Sequence, residues 1–266
     1  MRDYKHLLVN TFQGVQTITL DRPEKRNALC PLLMDELVTA LDEAATDESG
    51  VVVLAASGSA FCAGLDMDAL VTLHAQTRKD ARLDSERMAR VLRKLYEFPK
   101  PIIAAVNGPA IAGGMALAML CDFTYATPDA RFGYTEVRLG YIPAIVATFL
   151  TRQMGEKRTR ELLLSGRILK SDEAMRLGLV SRVVATEELR AEVTALARSL
   201  LLNSPQAMRT VKNLLTRHAA ESLDQEIEAA IEANADQHSS EDFREGVRAY
   251  FERRKADWPS RHAQVS

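Results

Sequence analysis

The sequence predicts an α/β fold with crossover connections, and three observations carry that reading. Two runs, VVVLAA (51–56) and KPIIAAVNG (100–108), are apolar at almost every position, the mark of strands buried on both faces. Each leads into a loop of small residues, with a helical pattern beyond it. From about Ser171 the chain changes character and becomes a succession of helical patterns.

The elements follow in order. HLLVN and GVQTITL read as two short strands of a hairpin turning around Thr11 to Gln13. The charged turn DRPEKRNAL is centred on Pro23. Pro31 stands where a helix begins, a position that tolerates proline, and Leu32, Leu33, Leu37, Val38, Leu41 and Ala44 give that helix its stripe. ATDESG ends it. VVVLAA, the small-residue loop SGSAFCAG and an amphipathic stretch over 81–98 come next, the last with Leu83, Met88, Val91, Leu92 and Leu95 on one side. KPIIAAVNG is the second buried strand. PAIAGGMALAMLCD follows, an apolar run interrupted by a glycine pair, and CDFTYA is a third strand. Four helical patterns close the chain: EELRAEVTALARSLL, PQAMRTVKNLLTRH, ESLDQEIEAAIEANADQH and SEDFREGVRAYFERRK. They either pad the core or make subunit contacts. There is no internal repeat and no low-complexity segment.

Composition narrows the function. The 266 residues suit one large domain or two small ones. With 47% hydrophobic and 26% charged residues, the chain is an ordinary globular protein with a sizeable core. A formal net charge of −2 offers no global field for nucleic acid. Cys30, Cys62 and Cys121 are odd in number and widely spaced, so neither a disulfide framework nor a zinc site is expected. His6, His74, His218, His238 and His262 show no metal-ligand spacing. This pattern fits a reducing cytoplasm. MRDYKHLLVNTF lacks the apolar segment of a signal peptide, and no apolar run reaches the ~18 residues of a membrane span.

Two loops share one design. AFCAGLD (60–66) and IAGGMA (111–116) each follow a strand, precede a helix or helical turn, and carry glycine where backbone must come close to something. Side by side, two such loops aim two N–H groups at one oxygen, an oxyanion hole. On spacing alone, glycines that only let helix and strand pack closely explain them as well. A third piece, RFGYTEVRLGYIPA (131–144), holds Glu136 among glycines and aromatics. A carboxylate there is either partly desolvated, with a pKa raised toward acid/base duty, or a surface group paired with Arg138 or Arg131. Cys62 has no histidine in these motifs to activate it and reads as a small buried thiol. Asp66 and Asp68 could titrate in the site, although Asp66 reads more readily as a helix cap. Asp122 reads as structural.

Taken together, these residues resemble the crotonase, or enoyl-CoA hydratase/isomerase, family. The resemblance spans nearly the whole chain: DRPEKRNAL, AFCAGLD, KPIIAAVNGPAIAGG, CDFTYATPDARFGYTEVRLGYIP, ELLLSGR with EAMRLGLVSRVV, and YFERRKADW. One such motif is weak, whereas six in this order are specific. The resemblance implies a crotonase-like spiral of ββα units over residues 1–195, carrying the acyl-CoA site. It implies a C-terminal helical trimerisation region over 196–266, the trimers often pairing into hexamers. It places oxyanion donors at the N–H of Leu65, after Gly64, and of Gly113, before Gly114. Ala63 would receive the adenine amino group through its carbonyl, and Lys25 and Arg26 would approach the CoA phosphates. Tyr250 and Arg253 match positions that reach a neighbouring subunit's CoA. Glu136 matches one of the two glutamates of the best-known hydratases. The other would stand three residues past Gly113, where this chain has Ala116. Tyr134 and Tyr141 are candidates to orient a water in its place, and Asp66 belongs to the same substrate region. The implied protein is a cytoplasmic enzyme acting on an acyl-CoA, with no nucleic acid or membrane partner, no metal, and no cofactor beyond the CoA of its substrate. Hydration of a 2-enoyl-CoA is the expected reaction. The alternatives are 3-enoyl to 2-enoyl isomerisation through Glu136 alone, or a CoA-binding homologue without chemistry.

Overall fold

β1 (Leu7–Phe12) and β2 (Val15–Leu20) form the expected antiparallel hairpin. Its turn is Gln13–Gly14, both at positive φ, slightly later than the sequence suggests, because a two-residue turn needs left-handed backbone at both central positions. The structure is a computed structural model and describes residues 3–66 and 77–262, without the side chains of 218–221. Asp68 and His74 therefore lie outside the described residues, as does the side chain of His218.

β2 opens a six-stranded sheet in the order β1-β2-β3-β4-β6-β9, with β3 (Val51–Ala56), β4 (Ile102–Val106), β6 (Phe123–Ala126) and β9 (Arg182–Val183) all parallel. The unbroken apolar pattern of β3 and β4 has a direct cause. Val52, Leu54, Ile102, Ala104 and Val106 face the main core. Val51, Val53, Ile103 and Ala105 face a second cluster closed by Leu189, Val193 and Ala197 of helix α7 (Leu189–Leu201). A small sheet, β5-β7-β8, stands beside this one. In it β5 (Ala110–Ile111) runs parallel to β7 (Arg131–Gly133), and β8 (Ile168–Lys170) runs antiparallel to β7.

Helices cover the sheets. α1 (Pro31–Thr46) begins at Pro31 and buries Leu33, Leu37, Leu41 and Ala44. α2 (Arg78–Tyr96) starts with a Thr77/Asp80 capping box. Leu83, read as part of its buried stripe, is 49% exposed instead; Ala81, Ser85, Ala89, Val91, Leu92 and Leu95 form the inner face. α3 (Gly113–Met119) is buried along its whole length. α4 (Ala144–Met154), α5 (Glu156–Ser165) and α6 (Ser171–Arg176) lead to α7, which spans residue 195. The next two helical patterns are one 33-residue helix, α8 (Pro205–Gln237). No glycine or proline interrupts it after Pro205, so nothing in the backbone ends it between His218 and Asp224. α9 (Glu241–Phe251) and the single turn α10 (Pro259–His262) finish the chain. Among the described residues no helix is long and apolar enough to cross a membrane.

Candidate active site

The glycine loops are built into each other by backbone hydrogen bonds. Leu29 N–H donates to Gly64 O at 2.7 Å, Asp66 N–H to Leu29 O at 3.1 Å and Ala63 N–H to Arg26 O at 3.0 Å. On the other side Cys62 N–H donates to Pro109 O and Ile111 N–H to Cys62 O. The loop over 60–66 is thus laced between residues 26–29 and the start of β5. Ala112 N–H donates to Gly133 O at 2.7 Å, tying the second glycine loop to β7.

The two loops touch where glycine is required. Gly64 has φ +90°, and a Cβ on it would lie 3.0 Å from Ala112 Cβ and 3.0 Å from Ile111 O. Ala112 itself is held at φ 51°, ψ −123°, a conformation that costs an alanine on the order of 1–3 kcal/mol and persists only where its surroundings impose it. Among the described residues neither the Leu65 N–H nor the Gly113 N–H has an acceptor. Both residues line one cleft of about 890 Å³. Ala63 lines it too, and its carbonyl accepts no bond from a described residue.

Glu136 opens a 3-10 turn over Glu136–Leu139 on the same wall. Among the described residues it pairs with neither Arg131 nor Arg138. Arg131 donates instead to the carbonyls of Pro128 and Ala130. Glu136 Oε2 is shielded from water and has no hydrogen-bond partner among the described residues. Burial pushes the Glu136 carboxyl up to about 7, against a smaller opposing effect from its own backbone N–H. A proton therefore sits on this oxygen, or leaves it, near neutral pH.

The other predicted residues divide. Lys25, Arg26, Asp66, Tyr141 and Tyr250 line the cleft. Asp66 forms an ion pair with Arg22 at 2.5 Å, and Arg22 also donates to Ala28 O. Gly64 and Gly114 are behind the wall; a Cβ on Gly114 would collide with Cys62. Ala116 is 2% exposed inside α3 and is not among the lining residues. Tyr134 is 1% exposed in the core and is likewise absent from the wall. Arg253 does not line the cleft; the next residue, Arg254, does, and it is paired with Glu245 and Glu252. Tyr250 belongs to the wall of its own chain's cleft. Cys62 is fully buried and its thiol is pushed up to about 12 by that burial, so it is no nucleophile at neutral pH. Asp122 accepts from Ile102 N–H at 2.8 Å and from Lys212 at 2.5 Å, a strand-to-α8 tie. No group of described His, Cys, Asp and Glu residues could hold a metal ion.

Among the wall residues that escaped the sequence reading are Asp84 and Ser85 of α2, and Asn234 and His238 at the end of α8. The last two had a signal. Leu223, Ile227, Ala230 and Ile231 are the buried face of α8, and positions 234 and 238 continue that face with polar residues.

A glycine-loop pair under a parallel sheet, a carboxyl beside it and a helical tail define a crotonase-type α/β fold. The chain belongs to the enoyl-CoA hydratase/isomerase family, whose model matches residues 10–261. It is 37% identical to a "probable enoyl-CoA hydratase" of Rhizobium meliloti over 97% of this chain and 99% of that one. It is 34% identical to the crotonyl-CoA hydratase of Syntrophomonas wolfei over the same shares of the two chains, 97% and 99%. A crystal structure of an enoyl-CoA hydratase/isomerase from Xanthobacter autotrophicus Py2 superposes with a TM-score of 0.86 at 32% identity, over 97% of this chain and all of that one.

Proposed function

We propose that the chain hydrates a 2-enoyl-CoA to the 3-hydroxyacyl-CoA. One observation carries this: a shielded carboxyl of near-neutral pKa shares a cleft wall with two N–H groups that lack acceptors among the described residues. The N–H groups of Leu65 and Gly113 hold the thioester oxygen. Ionised Glu136 takes a proton from water, whose oxygen bonds to C3. The C2–C3 π pair moves toward the thioester oxygen, forming an enolate that the two donors stabilise. Protonated Glu136 then returns the proton to C2. Tyr141 stands on the same wall and orients the water, its hydroxyl bonded with Ser85.

Lys25 and Arg26 meet the CoA phosphates and the Ala63 carbonyl meets the adenine. The reaction needs no cofactor beyond that CoA. The three thiols are free, as in a reducing cytoplasm. One observation favours a second reaction, isomerisation of a 3-enoyl-CoA: position 116 is an alanine packed in the core, and a single carboxylate suffices to move one proton between two carbons.

The absorbance of the conjugated thioester separates these. Loss of signal from a 2-enoyl-CoA is expected; gain from a 3-enoyl-CoA indicates isomerisation. If neither changes while CoA esters bind, the protein is a binding homologue and the proposal fails.

A further inference from the structure

We propose that Asn234, Tyr141 and Ser85 form a hydrogen-bonding patch in the cleft for an acyl chain that carries an uncharged hydroxyl group. This deepens the acyl-CoA reading above and rests on it. Asn234 is 5% exposed, borders the cleft, and its Oδ1 is shielded from water with no donor among the described residues. Together with His238 it continues the face that Leu223, Ile227, Ala230 and Ile231 make apolar, and no donor among the described residues accounts for its Oδ1.

The patch lies beside the reacting end of the cleft. A Cβ on Gly113 would stand 3.2 Å from Met88 Cε, and Ser85 is one turn before Met88 on α2, about 5 Å along the helix. Tyr141 follows directly on the Glu136 turn, its N–H donating to Glu136 O at 3.1 Å. The basic pair Lys25 and Arg26 sits on a different segment of the wall.

The patch is also rigid before any ligand arrives. Gln237 donates to Gly140 O at 2.8 Å. The rings of Tyr141, His238 and Phe243 pack mutually at centroid distances of 5.1–5.3 Å. A plain alkyl chain would seal Asn234 Oδ1 without a donor, whereas a hydroxyl supplies one. A carboxylate brings no donor for Oδ1 and is disfavoured for that reason.

Unreactive ligands test this apart from catalysis. Calorimetry with hexanoyl-CoA and with its 4-, 5- and 6-hydroxy derivatives should show at least one hydroxylated ester binding about tenfold tighter or more, the worth of one satisfied hydrogen bond. Asn234→Leu should erase that preference, and Ser85→Ala should weaken it if the first variant does not fold. Equal or weaker binding of all three hydroxy esters by the wild-type protein overturns the proposal. So does an unchanged preference in Asn234→Leu, which would leave the amide acting on water alone. A hydroxyl preference without turnover of the matching 2-enoyl esters upholds the patch and removes the hydratase reading. No binding of any ester removes both.

Discussion

At the scale of single residues, Glu136 is where burial and chemistry pull against each other. Its carboxyl prefers the protonated form up to about pH 7 in the folded chain, against an ordinary value of 4.5. Two consequences separate cleanly. Hydration begins with ionised Glu136, so kcat/KM should rise through about pH 7 rather than near 4.5. Glu136→Gln should lower turnover by roughly 10²–10⁴. A flat profile, or a Gln variant of near-normal rate, removes Glu136 from the reaction. The stability effect has the opposite sign. Between pH 4.5 and 7 the unfolded chain gives up this proton while the folded one keeps it, so stability from this group falls as pH rises. Glu136→Gln should therefore raise the melting temperature, by an amount that grows across that window and then levels off. Thermal melts at pH 4.5, 6 and 8 read it. The candidate was visible in the sequence because a carboxylate among glycines and aromatics is easily desolvated. That it lacks an arginine partner was not visible, since Arg131 and Arg138 stand close in sequence and only the fold turns Arg131 to backbone carbonyls.

At the scale of elements, the site is a set of close approaches between segments distant in the chain. Asn27, at φ 53° and fully buried, donates to Ser57 O and Ala60 O, and its Oδ1 accepts from Arg22 N–H. It holds the start of the first glycine loop to the turn after β2. Asn27→Ala leaves these backbone groups unpaired, each worth about 1–3 kcal/mol. Denaturant titration should show a loss in that range or beyond it, together with lower turnover from a misplaced Leu65. A variant of wild-type stability would show that the loop is held elsewhere. Gly246 does the same work for Glu136. It lets α9 rest on Leu139 of the Glu136 turn, where a Cβ would collide with the Leu139 carbonyl. Gly246→Ala should lower both melting temperature and kcat, and an unaffected kcat would mean that α9 does not position the turn. β1, β2, β3, β4, β6 and both glycine loops could be read from sequence because local pattern dictates them, whereas β5, β7, β8 and β9, of two or three residues each, are too short to show a pattern. The seat of α9 could not, because it depends on one carbonyl 107 residues away in the chain. The only trace was a glycine inside an amphipathic helix, which costs about 1 kcal/mol and so calls for a packing reason.

At the scale of the whole molecule, α8 divides into two halves with different surroundings. Its second half buries Leu223, Ile227, Ala230 and Ile231 in the core. Its first half leaves Val211, Leu214 and Leu215 exposed, and Leu202, shortly before the helix, is 88% exposed. Positions 211, 214 and 215 share one helix face, and such a stripe on a well-anchored helix is unusual for a monomer. The helix is not loose there, since Lys212 binds Asp122 and the Lys100 carbonyl. We expect wild-type protein to be three or six chains by light scattering. The double variant Leu214→Glu, Leu215→Glu should shift it to single chains, because two carboxylates would have to be buried in the contact. Tyr250, Leu65, Gly113 and Glu136 line one cleft of a single chain. The dissociated variant should therefore still bind an acyl-CoA with an affinity within about tenfold of wild type. A variant that stays assembled moves the interface away from this helix face. A variant that dissociates and loses acyl-CoA binding shows that a neighbouring chain completes the site after all, as the match of Tyr250 and Arg253 to subunit-crossing positions first suggested.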